Sequence, residues 1–184
     1  MRLSSEDSAL ELDEIDLRLL AMLQDDCRAS LTRMGEAVSL SAPAVLERVK
    51  KLEAARVIQG YHAQLDARLL GLDVTAFIGV STSKPELINH IEQQLGELDE
   101  VLECHHVTGE HTLLLKVKTA NTSTLERLIS RVRSFEGVAR TETVVVLSTH
   151  TERATLELYP TVPPAGGKRV RRGTERSNGN GRRG

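Results

Sequence analysis

The sequence has no tryptophan, and its two tyrosines and two phenylalanines bring aromatics to only 2% of 184 residues. Any core must therefore be built from Leu, Ile, Val and Ala. Cysteine is nearly as scarce. Cys27 and Cys104 leave at most one disulfide open to the chain, and buried, reduced thiols in a cytoplasm are the expectation. Met1–Leu10 holds no apolar run of the kind a signal peptide needs, and no stretch approaches the length of a membrane span. The expected location is cytoplasmic, with no membrane partner. Also missing are a glycine-rich phosphate cradle, a nucleophile elbow and a spaced pair of carboxylates. Ser148, His150 and Glu152 alternate on one strand face, as chance supplies in a polar strand end. No enzyme is expected.

What the chain does have is charge, unevenly placed. The formal net charge is −2. Residues 1–26 carry two arginines against eight acids, a local −6, whereas residues 28–56 carry six cations against three acids, a local +3. From Thr161 onward, seven Lys and Arg face Glu175 alone, a local +6. Separation of this kind allows a local polyanion site under a negative overall sign.

Three zones follow along the chain. In the first, to about Gly60, Ile15, Leu19, Leu20, Met22 and Leu23 recur at helical spacing behind Asp13, Glu14 and Asp16, acids suited to the positive end of a helix. Asp25-Asp26 interrupts the pattern. Ser30 is placed to cap a short second helix carrying Leu31, Met34 and Val38. Ser41 is placed to cap a third, with Pro43 in its first turn. At 100° per residue, Val45, Val49 and Leu52 form the buried stripe of that helix, with Arg48 at the border. Pro43, Ala44, Glu47, Lys50 and Lys51 fall on the opposite side. Small leading residues followed by cations suit a helix entering a major groove about 12 Å wide. An ordinary amphipathic helix with a solvated basic face has the same pattern. Val57 to Leu65 then leans toward β structure, as a wing or a linking strand.

The second zone reads as strand (Val74 to Ser81), helix (Pro85 to Leu95), strand (Val101 to Val107), strand (Thr112 to Thr119), helix (Ser123 to Phe135) and strand (Ala139 to Thr149). Gly109-Glu110 marks a hairpin turn. The order βαββαβ predicts an α+β ferredoxin-like domain, with two helices on one face of an antiparallel sheet. The expected organisation is a helix-turn-helix domain at 1–60, plain or winged-helix-like, and a linker at 61–72. A ferredoxin-like effector and assembly domain at 73–159 follows, then a disordered basic tail at 160–184. That tail is Pro, Gly, Arg, Ser and Asn with almost nothing apolar, and so cannot offset its ordering entropy. It reads either as a solubilising extension or as a nonspecific DNA arm.

Together these stretches resemble the Lrp/AsnC, or feast/famine, regulators. The resemblance runs through Leu12-Asp13-Glu14-Ile15-Asp16, Leu40-Ser41, Arg48-Val49-Lys50-Lys51-Leu52-Glu53 and Val57-Ile58-Gln59-Gly60-Tyr61. It continues with Glu103 to Glu110, Leu114-Leu115-Lys116-Val117 and Gly137 to Thr143, all in family order. It implies a DNA-binding transcriptional regulator that assembles with itself as a homodimer, and further to tetramers or octamers, on pseudo-palindromic double-stranded operators. It also implies a small-molecule effector, often an amino acid, held between effector domains, with no other cofactor. A ligand-independent architectural DNA protein of the same fold is the alternative.

On this footing the expected DNA contacts are Ser41, Ala42, Ala44 and Lys50 on bases, with Arg48, Lys51 and Arg33 on phosphate. The expected effector residues are Gly109, Glu110, His111 and Thr112. Three positions depart from the family pattern: Ser39 and Arg56 stand where the family usually has glycine, and Thr112 where many members carry Asp. Cys104, His105, His106 and His111 invite a metal-responsive reading, but alternation along a strand turns His105 away from Cys104 and His106. Buried thiol and half-buried imidazoles are the expectation there, with no metal.

Overall fold

The computed structural model describes residues 12–158. The leader 1–11 and the basic tail 160–184, with its expected disorder, lie outside the described residues. The chain divides into two compact units: residues to Tyr61 with the segment from Arg153, and His62–Glu152.

The first unit holds α1 (Glu14–Asp25), α2 (Leu31–Val38) and α3 (Ala42–Ala54). Each helix starts where a capping side chain satisfies a free backbone N–H. The Asp13 carboxylate accepts from Asp16 N at 2.8 Å, while Asp16 accepts in return from Asp13 N at 3.2 Å. Ser30 accepts from Arg33 N at 3.2 Å, and Ser41 from Ala44 N at 3.4 Å. Leu19, Met34, Val38, Val45 and Val49 bury the apolar stripes against one another, with Ile15, Leu23, Leu31 and Ile58 at the margin. Leu19 and Val45 are fully buried. Truncating Leu19 to Ala would therefore cost about 2–5 kcal/mol.

The turn between α2 and α3 is tight. Leu40 N donates to Gly35 O at 2.9 Å, and Ser39 takes φ 57°, ψ 42°. A Cβ on Gly35 would stand 2.4 Å from Leu40 O, so only glycine lets the turn close. Ser39 and Arg56 are the non-glycine residues of the described chain with positive φ, at 57° and 56°. These are two of the three positions at which the sequence departs from the family it resembles.

The β-leaning run 57–65 forms no strand among the described residues, so the first unit shows no wing there. Strand geometry needs a partner for its backbone groups, and a single copy of this chain supplies none at that place.

The second unit carries β1 (Val74–Thr82), a 3₁₀ turn at Pro85–Leu87 leading into α4 (Ile88–Gly96), β2 (Val101–His106), β3 (Leu113–Thr119), α5 (Thr122–Arg133) and β4 (Val138–Val145). The sheet order is β2-β3-β1-β4, antiparallel throughout. This is the expected ferredoxin-like arrangement. Helices α4 and α5 lie on the same face, where Ile91, Leu95, Leu125, Leu128 and Val132 pack on Ala76, Ile78, Val80, Leu113, Leu115 and Val117. The other face carries Phe77, Leu114, Lys116 and Val144, in cross-strand register.

Candidate nucleic-acid interface and effector region

Helix α3 presents two faces of opposite character. Val45, Val49 and Leu52 are buried, while Pro43, Glu47, Lys50 and Lys51 are exposed. Ser41, Ala42 and Ala44 stand at its N-terminal end, with Pro43 in the first turn, so little side-chain bulk separates the backbone from whatever approaches. Neither Lys50 nor Lys51 forms an ion pair among the described residues. Arg33 on α2 is open, its contact with Asp26 at 3.8 Å being loose.

Arg48, expected on phosphate, is paired within its own unit. Its guanidinium donates to Asp13 and to Asp16, both at 2.7 Å, and its side chain is 31% exposed. Asp16 is buried, so the pair joins α3 to the N-terminal turn of α1. The Asp13 carboxyl is held below its usual range, first by the Asp16 backbone N–H and then by Arg48. Arg48 itself is raised by the same two carboxylates. A guanidinium shared between these two carboxylates ties α3 to the start of α1 while part of its side chain stays exposed. Helical spacing put Arg48 at the border of the face; its partners lie 35 and 32 residues away, where spacing has no reach.

The expected effector residues form the β2–β3 turn. Val107 N donates to Thr112 O at 3.1 Å, and Gly109 takes φ +119°. Thr112 is anchored to β1: its N–H donates to Val80 O at 2.9 Å, and its hydroxyl accepts from Thr82 N at 3.4 Å. The His111 ring lies over Gly79, where a Cβ would stand 2.4 Å from it, and its Nδ1 is 3.4 Å from Ser81 Oγ. Glycine at 79 is thus what seats the imidazole on the sheet.

From β4, Arg140 bridges Glu110 at 3.1 Å and Glu142 at 3.0 Å. Glu110, His111 and Glu142 bring ligand atoms within 4.8 Å of one another, but the Arg140 guanidinium already pairs with both carboxylates. Sequence reasoning missed Arg140 and Glu142, because register alone brings β4 beside the turn. A cleft of about 600 Å³ in the same unit, lined by Arg68, Asp73, Lys118 and Glu152 among others, is not lined by residues 109–112.

The metal reading of residues 104–111 is redistributed. His105 pairs with Leu114 in register and reaches Glu103 at 3.0 Å, whereas His106 reaches toward Glu92 at 3.9 Å. Cys27 and Cys104 are free and exposed, contrary to the expected burial. The reason at Cys104 is that β2 is an edge strand, so its helix-side residues are only partly covered. Partial burial, with the Glu92 charge, still pushes the Cys104 thiol up. His105 and His106 are likewise exposed, and only His111 is half-buried.

Residues 12–53 match the AsnC-type helix-turn-helix domain, and residues 75–156 match the Lrp/AsnC ligand binding domain. The HTH-type transcriptional regulator FL11 of Pyrococcus horikoshii is 31% identical over 147 residues, 80% of this chain and 97% of that protein. The chain belongs to the Lrp/AsnC family. Its fold is also that of the family's solved members. The feast or famine regulatory protein of M. tuberculosis, complexed with L-methionine, superposes with a TM-score of 0.74 at 32% identity, covering 79% of this chain and 98% of that one. A transcriptional regulator from Neisseria meningitidis in complex with L-Met gives 0.75 at 28% identity, covering 79% and 96%.

Proposed function

We propose that this chain is a sequence-specific DNA-binding transcriptional regulator that acts as a homo-oligomer under the control of a small effector, of amino acid type. The observation that carries the reading is the outward face of α3. A capped helix with small residues at its leading end, cations behind them and its apolar side buried is built to lie in a groove. Ser41, Ala42, Ala44 and Lys50 take the base edges. Lys51 and Arg33 take phosphates.

Self-assembly is supported by the helix-free side of the sheet. Phe77 and Val144 stand opposite each other in register, 37% and 59% exposed, with Leu114 beside them. A second copy of the same face covers them, and the spacing of paired α3 helices then sets the spacing of half-sites.

Two relatives solved with L-methionine support an effector of amino acid type; Gly109–Thr112 is where this reading puts it. In this reading a second subunit completes the site beside the turn. Coupling follows if the effector binds one assembly or spacing more tightly than another. Selection of bound DNA fragments with and without each L-amino acid tests the reading. Recovery of a two-fold symmetric sequence whose retention changes with one amino acid is expected; recovery of no shared sequence would refute it.

A further inference from the structure

The outward face of α3 contains one residue that electrostatics alone would exclude from a DNA-binding surface. Glu47 is exposed, lies between Pro43 and the Lys50–Lys51 pair on the side away from Val45, Val49 and Leu52, and pairs with no cation among the described residues. A carboxylate carried toward a polyanion raises the energy of every complex unless it meets a donor. Phosphates and sugars flanking the groove offer none. Base edges do.

The four bases differ sharply in what they offer a carboxylate. Guanine presents N7 and O6, both acceptors, and thymine presents O4 and a methyl group. Adenine sets its N6 amino group beside the N7 acceptor, which repels the second carboxylate oxygen. Cytosine alone presents an amino donor, N4, with no acceptor on its own major-groove edge. The small residues before Glu47 permit the close approach this needs. Arg48 is withdrawn into its bridge with Asp13 and Asp16, so it does not neutralise its neighbour.

We propose that Glu47 reads a cytosine: its carboxylate accepts a hydrogen bond from cytosine N4 and imposes a C·G pair at one position in each half-site. The proposal rests on the reading of α3 as the DNA-contacting helix and adds the base that helix requires.

The test uses the full-length chain on the sequence it selects, with every position of one half-site replaced in turn. Wild type loses at least about 5-fold in affinity when the cytosine facing Glu47 is changed. Glu47→Ala loses that preference at that position only, and Glu47→Gln shifts it toward adenine, whose N6 and N7 an amide can pair together. Replacing the cytosine by 2-pyrimidinone, which lacks the 4-amino group, weakens wild type by a similar factor and leaves Glu47→Ala unaffected. An unchanged base preference at every position in Glu47→Ala, even with affinity raised uniformly, overturns the proposal. So does indifference of wild type to 2-pyrimidinone. Wild type that selects no sequence at all instead removes the reading of α3 itself, and this proposal with it.

Discussion

Arg48 on α3 and Asp16 in the first turn of α1 meet at 2.7 Å, and Asp16 is buried. The pair converts a cation that helical spacing leaves at the edge of the exposed face of α3 into a strut beneath it. Arg48→Ala is therefore expected to lower the stability of the helical unit by about 1–3 kcal/mol, since a buried carboxylate loses its charged donor. Thermal unfolding measures the loss. At temperatures where the variant is fully folded, its DNA affinity should show the salt dependence of the wild type.

The backbone at Ser39 and Arg56 makes a second expectation. Both residues hold the left-handed conformation that costs an L residue roughly 1–2 kcal/mol, offset in part by the greater unfolded-state freedom of glycine. Ser39→Gly and Arg56→Gly should each stabilise the chain by about 0.5–1 kcal/mol in urea unfolding. Gly35→Ala should do the reverse, because its Cβ would meet the Leu40 carbonyl oxygen at 2.4 Å.

Acid sensitivity of the sheet unit follows from Lys116. It pairs with Glu152 and with Glu103, the latter at 3.1 Å. Lys116 holds the Glu152 carboxyl below 4.5, and Glu103 is lowered first by His105 and then by Lys116. Carboxyls lowered in the folded state stabilise it above their unfolded value near 4.5, and that contribution is lost as pH falls through the folded values. Lys116→Met should flatten the decline of stability below about pH 4.5, as followed by chemical unfolding at stepped pH.

Assembly is open to the same kind of test. Phe77→Asp or Val144→Asp places a charge on the helix-free face without touching the core made by Ala76, Ile78 and Val80. The variants should be folded but smaller by light scattering, and weaker on a two-half-site operator than on one half-site in proportion. A variant of unchanged mass would place the interface elsewhere.

Much of this architecture is legible in the sequence because local chemistry dictates it. Ser30 and Ser41 cap the helices they precede, Val45–Val49–Leu52 mark a buried stripe by spacing alone, and Gly137 turns the chain at φ +91° before β4. What depends on tertiary partners is not legible. The Arg48 strut, the Arg140 bridge beside the β2–β3 turn and the seat of His111 on Gly79 each join residues 30 or more positions apart. The run 57–65 fails for a related reason: its β-leaning composition expresses itself only beside another strand. Exposure at Cys104 depends on β2 being the edge of the sheet, and strand order is not written in any one segment.

On the proposed function, the Lys50–Lys51 side of α3 lies against duplex DNA. Affinity for the selected operator, measured over a salt series for wild type and for the Lys50→Ala/Lys51→Ala double variant, tests it most directly. Loss of the Lys51 phosphate contact should reduce the log–log salt slope by about 0.9 per subunit bound, and loss of Lys50 from the base edges should lower affinity further. A folded double variant with the affinity and slope of the wild type would mean that this face of α3 does not meet DNA.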